Sequence, residues 1–205
     1  MARINFDATD EQTGTGSGRL PNGPYVLKVQ DIVYEKINKW GEESNSARIV
    51  FDVAEGEHKD ALKGRPDFAH ALDLYFDKNL GLLKHQLMCI ARSNPAFDAL
   101  AAFNCVIDPD DPNHDRALKA FVGKLFGGNV VTYHRPKKDG SDGTTERVWV
   151  VYDADEVRNG KDKDGNPIVP LEDQYKSGYT PAATGTAPAA PSAAAATETD
   201  DDVPF

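Results

Sequence analysis

Cysteine is almost absent from this chain: only Cys89 and Cys105 occur among 205 residues. With no CxxC motif and no Cys/His cluster, neither a disulfide framework nor a structural zinc site is expected. The two thiols read as small buried hydrophobes, kept reduced in a cytoplasmic setting. Long apolar runs are lacking too. No stretch of ~18 apolar residues and no basic-then-apolar leader occurs, so neither a membrane span nor a secretory signal is indicated. His58, His70, His85, His114 and His134 form no HExxH or other paired metal spacing, and no glycine-rich loop runs into Lys-Ser/Thr to cradle a phosphate. Asp108–Asp115 reads as a solvated turn. Asp162–Asn166 lacks the further ligands and the terminal Glu of a calcium loop. No catalytic constellation, metal site or cofactor site is expected, and an enzyme is not the expected reading.

Positive charge is also scarce, and it is unevenly placed. The net charge is −10, yet no Lys or Arg follows Lys176, while Glu198, Asp200, Asp201 and Asp202 crowd the far end. Residues 1–176 therefore carry only about −6. A nucleic-acid binder needs a local positive track rather than a positive total, so the balance weighs against that class without excluding it.

What is present is an ordered series of short elements. Residues 1–24 are polar and glycine-rich and read as an N-terminal arm. Tyr25–Tyr34, Ala47–Val53, Phe68–Phe76, Gly128–His134 and Glu146–Tyr152 alternate, with β-branched and aromatic residues, as strands do. In the first, Tyr25, Leu27, Val29 and Val33 are expected inside. In the last, Val148, Val150 and Tyr152 are expected to oppose Arg147, Trp149 and Val151. Between the third and fourth strands Leu80, Leu83, Leu87 and Ile90 recur at helical spacing, with Asn79 as N-cap and Asn94-Pro95 as a stop. Shorter helical pieces are expected at Ala96–Phe103 and Asp115–Phe121. Five strands with helices inserted between the third and fourth predict a mainly β fold, an OB-like five-stranded barrel over residues 25–176.

After it comes a different composition. Residues 177–199 are mostly Ala, Pro and Thr with almost nothing to bury, so a disordered linker is expected. The chain then ends in Asp200-Asp201-Asp202-Val203-Pro204-Phe205. A solubility tag has no need of Val203 and Phe205. An apolar pocket rimmed by Arg or Lys could instead take the ring, the terminal carboxylate and the acidic cluster together.

That ending resembles the acidic tip of bacterial-type single-stranded-DNA-binding proteins, which is close to Asp-Asp-Asp-Ile-Pro-Phe; only Val203 departs from it. The front of the chain is similar to a phage-encoded family, long described as a domain of unknown function and regarded as single-stranded-DNA-binding. The similarity lies in Asn5-Phe6-Asp7, Pro24–Val26, the run Phe51–Lys59, Leu83–Ala91 and Phe121–Lys124, and covers residues 1–152 loosely. Leu74–Asn79 departs from an Asn-Leu-Trp-Asn-like segment of that family. The resemblance implies a phage protein that coats single strands during DNA replication, recombination or repair. It also implies that residues 200–205 dock enzymes of those processes and that the tail competes with DNA.

Binding single strands without sequence preference requires cations for the backbone and rings for the bases. The residues suited to that work are Lys36, Lys39, Arg48, Arg135, Lys137, Lys138 and Arg147, with Trp40, Tyr133 and Trp149 as rings; Tyr34 and Tyr75 lie nearby. Tyr133–Lys138 feeds a loop, and Arg147 and Trp149 return on the next strand, where alternate residues share a face. Trp149 could equally be core, and the loop lysines could be merely solvated. A protein-interaction adaptor without DNA binding, using the same rings and the same tip, is the alternative. A homodimer remains open.

Overall fold

The computed structural model describes residues 19–37, 43–63, 70–77, 79–137 and 140–179, with side chains left undescribed at 35–37 and 43–44. Within them, β1 (Gly23–Ile37), β2 (Glu43–Val53) and β3 (His70–Tyr75) precede three helices, α1 (Leu80–Ser93), α2 (Ala99–Val106) and α3 (His114–Phe121). Then come β4 (Leu125–Pro136), β5 (Asp142–Tyr152), α4 (Ala154–Asn159) and the two-residue β6 (Gln174–Tyr175). The first five strands close in the order β1-β2-β3-β5-β4-β1. All their pairings are antiparallel except β3 with β5, which run parallel. This is a mixed, closed, OB-like barrel with helices set between its third and fourth strands.

Closure depends on β1 being long enough to serve two neighbours. Its first residues, Gly23–Lys28, pair with β4, and Leu27–Ile37 pair with β2. The barrel interior is filled by Leu27, Val29, Ile49, Phe51, Leu74, Phe126 and Val130, all at most 1 % exposed, with Phe51 edge-on to Phe126. Gly128 leaves room for this packing, because a Cβ there would lie 2.7 Å from Leu27 Cδ1.

The helices seal one end. Leu83, Leu87 and Ile90 turn inward from α1, and Asn79 caps it by accepting the Leu82 N–H at 3.2 Å. Leu80, the first helical residue, stays exposed, so the expected stripe begins one turn later. At the other end the Asn94 side chain donates to Ile90 O and Leu125 O and accepts from Leu125 N–H, tying α1 to β4. Asp98 caps α2, and Phe97 meets Phe121 of α3 edge-on at 4.9 Å.

Three expectations are corrected. Bulges shift the faces of β1 and β5: Val29 faces Phe51 while Asp31 faces Val50, which leaves Gln30 as the extra residue. Ile32 is therefore buried where Val33 was expected. In β5, Val130 opposes Val148 and Asn129 opposes Val150, so Trp149 is the extra residue and Val151 points inward in place of Val150 and Tyr152. The β1–β2 loop is also shorter than expected, because β1 runs to Ile37 and β2 begins at Glu43.

Beyond the barrel, residues 169–179 form a strap along β4. Asn22 stands in for a strand there: its Oδ1 accepts from the Thr132 N–H and hydroxyl, while its Nδ2 donates to Leu171 O and Asp173 Oδ1. His134 completes the clasp. Its Nδ1 lies 2.6 Å from Asp142, its Nε2 3.0 Å from Asp173, and its ring stacks on Tyr175 at 4.6 Å. The Tyr179 hydroxyl donates to the other Asp142 oxygen.

Candidate nucleic-acid interface

Because Ile49 and Leu72 point into the core, Arg48 and Val50 on β2 and Ala71, Asp73 and Tyr75 on β3 lie on the opposite face, where Val50 and Ala71 are buried and Tyr75 is exposed. One rung of that face runs across the sheet through Asp31, Val50, Ala71, Arg147 and Val131, with Val50, Ala71 and Val131 buried. Arg48 opposes Asp73 on the next rung. Two arginines from strands that are not sequence neighbours thereby meet one carboxylate. Arg48 Nε donates to Asp73 Oδ1 at 2.8 Å and Arg147 Nη1 to Oδ2 at 3.2 Å. The Asp73 side chain is 9 % exposed, whereas Arg48 and Arg147 keep 38 % and 34 %.

Rings border this cluster. The Arg147 guanidinium carbon lies over the Tyr133 ring, 5.2 Å from its centroid. Tyr75 is half-exposed; partial burial pushes its phenol up, Asp73 adds to that, and Arg147 and Arg48 pull the other way. The hydroxyl therefore sits within the field of the same three charges. Trp149 is half-exposed, presented by the β5 bulge.

Arg48, Tyr133 and Arg147 are thus brought together, while Trp149 is exposed at the β5 bulge. Arg135 and Lys137 lie at the end of the β4–β5 hairpin, which the Lys137 N–H closes by donating to Ser141 O at 2.8 Å. Neither has an ion-pair partner among the described residues. Lys36 lies in β1 with its side chain undescribed; Lys39, Trp40, Lys138 and residues 200–205 lie outside the described residues. His134, inside the Tyr133–Lys138 run, belongs to the strap clasp instead. Asp73 was missed by the sequence reading, and Tyr75 was noted only as a neighbour. Their alternation with inward Leu72 and Leu74 marks them as outward, but nothing in the order of residues pairs Asp73 with two arginines.

No family model, no curated protein and no solved structure matches the chain. The assignment of chemistry therefore rests on the barrel and its surface. An OB-like barrel holds oligonucleotides or other extended ligands on the outer face of its strands and in the β1–β2 and β4–β5 loops. The arginine cluster lies on that face. Among the described residues no group of three or more His, Cys, Asp or Glu side chains is arranged to hold a metal ion, and no helix is long and apolar enough to cross a membrane. Two open grooves of about 330 and 350 Å³ lie elsewhere, one beside Tyr25, His58 and Arg158 and the other between β1 and α3 at Tyr34 and Lys119.

Proposed function

We propose that this protein binds single-stranded DNA without sequence preference, along the outer face of β2, β3, β5 and β4. The observation that carries the reading is the meeting of Arg48 and Arg147 at Asp73, with the Arg147 guanidinium over Tyr133, Tyr75 exposed within the field of these charges, and Trp149 exposed further along β5. Cations for phosphates and rings for unpaired bases are the two requirements of such binding, and one face of an OB-like barrel supplies both. Arg135 and Lys137 extend the cationic path toward the hairpin end. In this reading Lys36, Lys39, Trp40 and Lys138 also take part in binding.

The acidic tip, Asp200–Phe205, docks partner proteins of replication, recombination or repair, while the preceding Ala/Pro/Thr segment tethers it. The likeness of the tip to bacterial-type single-stranded-DNA-binding proteins, and of the front of the chain to a phage-encoded family, supports that assignment and a place in an infected bacterial cell.

The test is fluorescence anisotropy with labelled mixed-sequence single strands and duplex competitors at two salt concentrations. Binding that prefers single strands and weakens with salt is expected. Trp149→Ala is expected to cost roughly 1–3 kcal/mol of that binding, the worth of one stacked base. A second reading, a protein-interaction adaptor, draws on Asp73: the carboxylate halves the charge of the arginine pair, and exposed Tyr and Trp beside arginine also make protein-binding hot spots. Equal indifference to single strands and duplex would favour it.

A further inference from the structure

We infer that Arg147 is a stacking plate for an unpaired base, and that phosphates are held instead by Arg135 and Lys137. The inference rests on the single-stranded-DNA reading and divides the labour within that site.

Arg147 is poorly arranged for a phosphate. Its Nη1 is already given to Asp73, and the same carboxylate holds Arg48, so two cations share one anion at the place where a phosphate would have to approach. Its Nε is buried and has no hydrogen-bond partner among the described residues, so that donor is turned away from solvent. A phosphate coming to this cluster would meet the Asp73 charge as well as the guanidinium.

For a base the arrangement is favourable. The guanidinium is planar and delocalised and stacks on π-faces, which a lysine ammonium does not do. Here it is steadied at its edge by Asp73 and from beneath by Tyr133, leaving about a third of the side chain open. Trp149, two residues along β5, and Tyr75, on the adjacent strand, give further surfaces for neighbouring bases. Arg135 and Lys137 carry no carboxylate partner among the described residues, as a backbone contact requires. Single-strand preference would then arise at Arg147 and its rings, because a duplex keeps its base faces covered.

The experiment is an anisotropy titration of the full chain and two single-site variants. The probes are a mixed-sequence strand, an abasic strand of equal length, and a duplex. Arg147→Lys keeps the charge and would preserve a phosphate contact. As a stacking plate it is expected to weaken binding of the mixed strand roughly three- to tenfold, to leave the abasic strand unaffected, and to narrow the preference over duplex. Tyr133→Leu, which removes the support beneath the guanidinium, is expected to reproduce this and serves if the lysine variant melts early by circular dichroism. Lys137→Ala should weaken both strands alike and lower the salt slope by about 0.7. Wild-type affinity in both Arg147→Lys and Tyr133→Leu, or equal loss on mixed and abasic strands, overturns the inference while leaving the DNA reading standing. Failure of the wild-type chain to bind any strand overturns both.

Discussion

Gly127 shows how little freedom single residues have in this barrel. A Cβ there would lie 2.5 Å from the Asp153 carbonyl oxygen and 2.7 Å from Val157 Cγ2, both of which are fixed by α4. Gly127→Ala is expected to cost about 1–3 kcal/mol, lowering Tm by about 2–4 °C for each of them in a calorimetric melt. Cys89 is equally constrained. Burial, with help from the Asp153 carboxylate, pushes its thiol up to about 12. The folded protein keeps that proton while the unfolded chain releases it at the ordinary thiol value. The stabilisation is therefore whole below that value and declines as pH rises toward about 12. Urea midpoints measured at rising alkaline pH should fall less steeply in Cys89→Ala than in the wild type; parallel lines would show that the thiol contributes nothing. At this scale Arg48, Arg147 and Tyr133 were legible, because strand alternation alone decides that they point outward. Asp73 was not, since its meaning comes from two partners on other strands.

At the scale of elements, the strap and the bulges depart most from the sequence reading. Alternation was correct for β2 and β3, where Ile49, Phe51, Leu72 and Leu74 line the interior. It failed midway along β1 and β5, because one extra residue reverses the sense of everything after it. The composition of a strand records its burial but not the place where a bulge resets it. α4 was not expected either: six residues carry too weak a periodicity, although the capping box of Asp153 and Glu156 marks its start. The strap has still less local signal, since its order comes from Asn22, far away in sequence, and from His134. His134→Gln should leave the barrel melting transition in place but speed hydrogen exchange over residues 171–179. Unchanged exchange there would mean that Asn22 and Lys176 hold the strap without the imidazole.

For the whole molecule, charge is a matter of distribution. A chain at −10 is a poor polyanion binder on average, yet the described barrel gathers arginines on one side while the last acidic residues lie at the far end of the sequence. If that tail screens the proposed DNA face, ending the chain at residue 179 should raise affinity for single strands most at low salt, and the gain should vanish as salt is added. Equal affinity at every salt concentration would dispose of tail competition without touching the binding reading. The architecture itself was legible at this scale, because five alternating segments with helices after the third suit few closed arrangements.

Among the described residues the barrel joins β3 to β5 in parallel through two paired positions, His70 with Glu146 and Ala71 with Arg147. The Asp73–Arg147 ion pair spans this parallel joint. A strand of DNA lying over Tyr75, Arg147 and Tyr133 would act as a suture across that joint. Its binding energy would go into holding the cask shut as well as into holding the ligand.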